Sequence, residues 1–247
     1  MRIDSDPMPE RAAIVTGASR GIGLALAELL GDEGYGLTIT ARKPLSLEQT
    51  AHALRDRGLE VEYLAANMSD EESIRAVVAL HRERFGRLDV LVNNAGVGIG
   101  AMAGEHRTKF IDMQLDVNLR AIVIFYRECL ELLRAAGAEH RNALVVNMAS
   151  IAGKSPAPFL SVYAATKAAV IGYTHAMNKE LNDEGIKSVA FCPGFVDTDM
   201  ADFVRDAIPA EKMLRTSDIS EALRFLLRVS ANCVVPEIIF QRPGETI

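Results

Sequence analysis

Short apolar runs rich in strand-forming residues alternate along this chain with segments of helical period, and this alternation limits the fold more than any other feature of the sequence. Strands are predicted at 12–16, 36–41, 61–65, 90–93, 143–148, 188–192 and 238–241, and helices at 22–33, 46–57, 70–85, 107–135, 162–183 and 217–229. Alternating strands and helices connect through right-handed crossovers, which place parallel strands in one sheet with helices on both faces. The predicted fold class is therefore α/β, with the seven strands in a doubly wound parallel sheet.

The domain organisation follows from the continuity of this pattern. No linker, repeat or low-complexity tract interrupts it between residues 11 and 247, so this range is predicted to form a single domain. Residues 1–10 include two prolines and are predicted to form a loose N-terminal tail.

The composition argues against several classes of partner. The 27 Lys and Arg residues against 33 Asp and Glu residues give a formal net charge of −6, which disfavours nucleic acid as the main partner. No apolar run reaches the roughly 18 residues that a membrane span needs. The first residues also lack the apolar core of a secretory signal. We therefore expect a cytoplasmic protein that does not bind a membrane.

The spacing of the cysteines and histidines argues against a metal site. Cys129, Cys192 and Cys233 are too far apart in sequence for a short-spaced zinc motif, and they suggest no disulfide framework. We predict free thiols in a reducing compartment and no metal ion.

A glycine-rich turn follows the first predicted strand and leads into the first helix. In such a turn the backbone can approach a pyrophosphate closely, and the helix N-terminus offers unpaired N–H groups to it. The order of strand, turn and helix predicts a Rossmann-like domain that binds a dinucleotide. The residues assigned to the cofactor here are Thr16, Gly17, Ser19, Arg20, Gly21, Ile22 and Gly23.

The end of the second strand indicates which dinucleotide is bound. An NAD-binding protein usually carries Asp or Glu there to accept a hydrogen bond from the ribose 2′-hydroxyl. This chain has Ala41 followed by Arg42, and a second arginine, Arg20, lies in the glycine turn. Two guanidinium groups can make charge-assisted contacts with a 2′-phosphate, so NADP is predicted and NAD is less favoured.

A tyrosine and a lysine lie four residues apart on the sixth predicted helix, just after the fifth strand. Tyr163 and Lys167 should project from one face of the helix, with Ser150 near them at the strand end. A nearby cation lowers the pKa of a phenol towards neutral pH, where the phenol can serve as a general acid or base. The three residues predict proton transfer at a carbonyl or hydroxyl group.

Together these motifs resemble the short-chain dehydrogenase/reductase family, in an order that covers nearly the whole chain. The resemblance implies that Tyr163 is the general acid/base, that Ser150 binds the substrate oxygen and that Lys167 binds the nicotinamide ribose. It also implies that Asn118 holds a water molecule in a proton relay. Further cofactor contacts that the resemblance implies involve Asn67, Asn94, Ala95, Gly96, Tyr163, Lys167, Pro193, Gly194, Val196 and Thr198.

The sequence departs from the family pattern in two places. Asn67 stands where the family commonly has an Asp after the third strand, although its amide oxygen can still accept a hydrogen bond from the adenine. The C-terminal segment 235–244 differs from the usual Val-Asp-Gly-Gly type of ending, which leaves its role open.

The predicted substrate is a small, apolar carbonyl or alcohol compound. Its candidate wall consists of Phe159, Phe195, Met200 and Phe203, which flank the Ser150 and 193–194 loops. The helices 107–135 and 162–183 carry apolar residues on more than one face, so a homodimer or homotetramer is predicted.

The leading functional hypothesis is an NADP-dependent oxidoreductase that interconverts a carbonyl and a secondary alcohol by hydride transfer. Two alternatives remain at this stage. One is an NAD-preferring alcohol dehydrogenase with the same catalytic residues. The other is a dinucleotide-binding sensor or scaffold on the same fold that performs no turnover.

Overall fold

The structure of the protein is a computed structural model that describes residues 9–245. The loose tail predicted for residues 1–10 therefore falls almost entirely outside the described residues. Within the described range the chain forms the single sheet that the sequence predicts.

Seven strands form this sheet, and every neighbouring pair is parallel, in the order β3-β2-β1-β4-β5-β6-β7. The doubly wound α/β prediction is confirmed. Strand order reverses between β1 and β4, and ligands of such sheets bind in the crevice at that switch point, at the carboxyl ends of the strands. The strands are β1 (Arg11–Thr16), β2 (Tyr35–Ala41), β3 (Val61–Ala65), β4 (Val90–Asn93), β5 (Ala143–Met148), β6 (Ile186–Pro193) and β7 (Glu237–Phe240).

Six of the seven α-helices within residues 9–245 cover the two faces of the sheet. The apolar sides of α1, α2 and α7 fill one core cluster, and those of α3, α5 and α6 fill the other. The helices are α1 (Gly21–Asp32), α2 (Pro44–Asp56), α3 (Glu71–Phe85), α4 (Thr108–Leu115), α5 (Ala121–His140), α6 (Ser161–Leu181) and α7 (Thr216–Arg228).

The helix predicted over 107–135 is in fact two helices. A π-helical turn, Asp116–Arg120, separates α4 from α5 and turns the Asn118 side chain into the interior, where it is fully buried. Such turns interrupt α-helices frequently at functional sites. The other predicted helices and all seven strands are present, with ends shifted by at most two residues.

The apolar residues of α5 that suggested an oligomer pack inside the chain itself. Ile122, Ile124, Phe125 and Leu133 are buried in the core between α5 and the sheet, and Leu130 packs against that core. These side chains therefore need no second subunit to cover them. No helix within residues 9–245 is long and apolar enough to cross a membrane.

Candidate active site

The glycine turn at the end of β1 presents the N-terminus of α1 to the crevice. Arg20 is the N-cap residue and makes no side-chain capping bond, and the first turn of α1 contains no carboxylate. The first N–H groups of the helix are thus left for an anion, which the positive end of the helix dipole favours. Gly21 has φ 57°, a conformation that residues with side chains rarely adopt.

Asn94 ties the glycine turn to the end of β4. Its Nδ2 donates to the carbonyl of Thr16 at 2.9 Å and to that of Gly17 at 3.2 Å. The Thr16 hydroxyl in turn accepts from the backbone N–H groups of Asn94 and Ala95, both at 2.9 Å. A Cβ on Gly23 would lie 2.3 Å from the Gly17 carbonyl oxygen, so this tight packing requires glycine. The two loops therefore form one rigid wall of the crevice.

The two halves of the glycine turn face different neighbours. Ser19 accepts from the Thr50 hydroxyl of α2 through its carbonyl oxygen, at 3.2 Å. Arg20 instead forms an exposed ion pair with Asp199, which follows β6. A Cβ on Gly21 would lie 3.1 Å from Cγ2 of Thr198. In the chain alone, therefore, the Arg20 guanidinium binds a carboxylate on the far side of the crevice.

Arg42 and Asn67 lie at the ends of β2 and β3, as the sequence predicts. Arg42 is exposed and has no ion-pair partner among residues 9–245, so its guanidinium can receive an anion. The Asn67 side-chain oxygen accepts from the Ser69 backbone N–H at 3.2 Å, and one lone pair remains for a further donor.

Lys167 is the most deeply buried charged group of the site. It is 3% exposed, and its ammonium donates to the Met148 carbonyl at the end of β5, at 2.6 Å. Burial lowers the pKa of Lys167 to about 8 because the low-dielectric surroundings disfavour the cation. The side chain is still protonated in most molecules at neutral pH.

Tyr163 lies one helical turn before Lys167 and near Ser150. Burial raises the pKa of Tyr163, and a hydrogen bond with Ser150 lowers it in part. The Lys167 ammonium lies 5.7 Å from the centre of the tyrosine ring and is bonded to the Met148 carbonyl instead. In the chain alone, the pKa of Tyr163 thus moves in the opposite direction to the one that the Tyr–Lys spacing suggests.

Ser150 is held in place by the loop that follows β5. Its hydroxyl accepts from the Ala152 backbone N–H at 3.2 Å and lies 3.4 Å from the Pro193 carbonyl oxygen. Ser150 is buried, so the surrounding residues limit the directions in which its hydroxyl can form a hydrogen bond. Ser150 can therefore direct a hydrogen bond to an oxygen beside Tyr163.

Asn118 bridges three segments around the site. Its side-chain oxygen accepts from the Val97 N–H at 2.8 Å, and its Nδ2 donates to the Val97 carbonyl at 2.9 Å and to the Thr166 hydroxyl at 3.0 Å. Both amide protons are in use, so the side chain positions the loop after β4 against α6. Thr166 is a contact that the sequence analysis did not identify.

The loop after β6 completes the crevice. Gly194 donates its N–H to the Phe240 carbonyl, and a Cβ on Gly194 would collide with the Glu245 carboxylate. Val196 forms an isolated bridge with Leu214, and the Thr198 hydroxyl donates to the Val196 carbonyl at 3.3 Å. The C-terminal segment that departs from the family pattern thus contacts a predicted cofactor residue.

The four candidate wall residues differ in their surroundings. The rings of Phe195 and Phe203 pack edge to face, with 6.2 Å between the ring centroids. Phe159, Met200 and Phe203 are each more than half exposed. These side chains are therefore available for contact with a ligand.

Comparisons with known proteins agree with this geometry. The sequence model of the short chain dehydrogenase family matches residues 11–209. The chain is 30% identical to the 3-oxoacyl-[acyl-carrier-protein] reductase FabG of Staphylococcus aureus over 243 residues, which cover 95% of this chain and 97% of that protein.

Solved structures give the same result. A variant of the actinorhodin polyketide ketoreductase, solved with NADPH, has a TM-score of 0.84 and 31% identity, with 93% of this chain and 95% of that chain covered. An alcohol dehydrogenase from the archaeon Thermococcus sibiricus, complexed with 5-hydroxy-NADP, has a TM-score of 0.84 and 32% identity, with 95% of this chain and 99% of that chain covered.

The lowered pKa of Lys167 predicts a specific pH dependence of stability. The pKa of an unfolded lysine is 10.5, so between pH 8 and 10.5 the unfolded chain binds more protons than the folded one. The free energy of unfolding of the wild type should therefore rise with pH across this window relative to that of Lys167→Met, and the gap should be constant below pH 8. Urea unfolding of both proteins at several pH values measures this difference in the free energy of unfolding.

The matched control is Lys179→Met, because Lys179 is exposed on the same helix. Its stability should follow that of the wild type at every pH. Parallel pH profiles for the wild type and Lys167→Met would contradict the assignment of a buried, destabilised ammonium.

Proposed function

Because the chain belongs to the short-chain dehydrogenase/reductase family, we propose that it is an NADPH-dependent oxidoreductase that interconverts a carbonyl and a secondary alcohol. The observation that carries this proposal is the contact of Tyr163 with Ser150 at the carboxyl end of the sheet, with buried Lys167 behind the phenol. A protein that only bound a dinucleotide would have no use for this arrangement.

The residues of the crevice fit the cofactor. The free N–H groups at the start of α1 suit the pyrophosphate, and Lys167 and Tyr163 would hold the nicotinamide ribose. Val196 and Thr198, on the loop after β6, would hold the carboxamide. The cofactor, when bound, supplies the hydride, and the protein supplies orientation and the proton.

Tyr163 is the proposed proton donor in carbonyl reduction. As negative charge develops on the carbonyl oxygen, the phenol O–H of Tyr163 would give its proton to that oxygen, which becomes the alcohol hydroxyl. The Ser150 hydroxyl donates a hydrogen bond to the same oxygen and stabilises the developing charge. Oxidation of the alcohol runs the same steps in reverse, with the phenolate as base.

The proposed role of Lys167 and Asn118 is to help return a proton to Tyr163 after each transfer. The Lys167 ammonium would stabilise the phenolate left after proton transfer. A water molecule near Asn118 would then return a proton from solvent.

Arg42 is the principal support for NADP over NAD. Its exposed, unpaired guanidinium at the end of β2 suits a 2′-phosphate, and no carboxylate is present there to accept from a ribose hydroxyl. Arg20 is the second proposed ligand, but it must leave Asp199 to reach the phosphate.

The proposed substrates are apolar carbonyl compounds, with 3-oxoacyl thioesters as the first class to test. The Staphylococcus aureus relative is named as a 3-oxoacyl reductase. The exposed rings of Phe159 and Phe203 add apolar surface near the crevice.

We propose a homodimer or homotetramer as the functional assembly. Before Lys179, the exposed side of α6 carries small residues at Ala165, Ala168, Gly172 and Ala176, which would allow a second helix to approach closely along this part of the helix. The free thiols of Cys129 and Cys192 fit a reducing compartment, and the cytoplasm is the proposed location.

Arg42→Asp should reverse the cofactor preference. The substitution removes a cation that suits the 2′-phosphate and installs an acceptor for the ribose hydroxyl. A charged hydrogen bond contributes about 1.5–3 kcal/mol, so NADPH affinity should fall at least about tenfold while NADH affinity rises. Fluorescence titration with both cofactors measures this. Arg228→Asp, on α7, is the control for the same change of net charge and should leave both affinities unchanged.

Tyr163→Phe should abolish most of the turnover and largely preserve cofactor binding, because Lys167 and the N–H groups at the start of α1 would still hold the cofactor. The ring and its packing remain, but the proton donor is lost, so kcat should fall by at least about 100-fold. The control is Tyr173→Phe on the same helix, which should keep normal kinetics. Near wild-type turnover in Tyr163→Phe would refute the proposed mechanism and favour a binding protein without catalysis.

A further inference from the structure

Three glycines in the segment after β4 face the catalytic side of α6 in succession. A Cβ on Gly96 would lie 3.5 Å from the Lys167 Nζ, and one on Gly98 would lie 3.6 Å from the ring of Tyr163. A Cβ on Gly100 would lie only 2.0 Å from the ring of Phe159. Alternate residues of this segment thus meet the side chains of residues 167, 163 and 159 in turn.

The backbone groups of the residues between these glycines are held by side chains of α4 and of the π-helical turn. The backbone of Val97 makes two hydrogen bonds with the Asn118 side chain, and the Ile99 N–H donates to the Gln114 side chain at 3.1 Å. The two-residue period of the glycine contacts is that of an extended chain. At residues 96, 98 and 100 this segment therefore places no side chain against α6.

The distance between successive glycines in the segment after β4 matches the distance between the opposing side chains along α6. An extended chain advances about 6.6 Å in two residues, and an α-helix advances about 6 Å in four. Because the glycines are two residues apart and the opposing side chains four apart, each glycine meets one side chain. Phe159 lies just before the first turn of α6 and continues the row.

Phe159 is held in an unusual conformation at the end of this row. Its φ is 71°, in the left-handed region that a bulky residue rarely occupies. Its carbonyl accepts from the Ala101 N–H at 2.9 Å, which fixes the peptide beside Gly100. One side of the ring lies on Gly100, yet the residue remains 54% exposed. Backbone strain of this kind persists where the surrounding structure enforces it, commonly at ligand sites.

From these contacts we propose that Gly100 seats Phe159 as an apolar platform for the substrate, and that Phe159 is a specificity-determining residue of the proposed reductase. The inference rests on the proposed function and adds the surface that binds the apolar part of the carbonyl compound. Gly100 is the positioning residue, because any side chain there would displace the ring. The exposed side of the ring, four residues before Tyr163, receives the apolar group while the carbonyl lies at Tyr163.

Steady-state kinetics with two thioesters of N-acetylcysteamine test the proposal. The acetoacetyl thioester has almost no apolar chain, and the 3-oxooctanoyl thioester has a long one. In Phe159→Ala, KM for the long substrate should rise on the order of five- to tenfold, the effect of losing one apolar ring surface. Its kcat, the KM of the short substrate and the Kd for NADPH should stay close to wild type.

Two glycine substitutions separate the platform from general damage to the loop. Gly100→Ala should raise KM for the long substrate as Phe159→Ala does, since the ring must move, and the double variant should be no worse than Phe159→Ala alone. Gly104→Ala is the matched control in the same loop, because Gly104 is exposed and a Cβ there would meet no atom within 4 Å. It should leave all constants unchanged.

An unchanged or lowered KM for the long substrate in Phe159→Ala would overturn the proposal. A Gly100→Ala variant with wild-type kinetics would overturn the positioning role of Gly100. If the wild type binds NADPH but reduces neither thioester, the proposed substrate class fails, and the platform assigned to it fails as well.

Discussion

The burial of Lys167 is the constraint on which the rest of the site depends. A buried ammonium is stable only where acceptors surround it, and here the Met148 carbonyl at the end of β5 is the acceptor. That bond fixes α6 against the strand, which sets Tyr163 one turn away and Ser150 two residues beyond Met148. Gly96 lies beside the ammonium, since a Cβ there would lie 3.5 Å from Nζ. Strand end, helix and glycine segment must therefore assemble together for the site to exist.

Most of the fold is predictable from the sequence because the five inner strands are buried on both faces, while only the edge strands β3 and β7 are half-buried. Such strands appear as continuous apolar runs between helical segments, and all seven were located in this way. The break between α4 and α5 was missed for a physical reason. A π-helical turn over Asp116–Arg120 adds a residue to the turn without interrupting the apolar pattern, so the periodicity indicates one long helix.

Within the site, predictability depends on whether two residues share an element. The Tyr163–Lys167 pair was predictable because four residues on one helix fix their relative position. The ion pair of Arg20 with Asp199 and the packing of Phe159 on Gly100 join distant segments, and no spacing in the sequence indicates them. The spacing of two residues on a helix also does not indicate which acceptor a lysine ammonium will bind. Burial raises the pKa of Tyr163 in the chain alone, and the Lys167 ammonium is bonded to the Met148 carbonyl and not to the phenol.

The central claim, hydride transfer to a carbonyl with a proton from the protein, is tested most directly by isotope transfer. NADPH carrying deuterium on the transferred face of C4 is mixed with a 3-oxoacyl thioester, and the product alcohol is analysed by mass spectrometry and NMR. The account predicts one deuterium at the carbinol carbon and a solvent isotope effect on the same step, from the Tyr163 proton. A product without deuterium at that carbon, or cofactor consumption without alcohol formation, would contradict it.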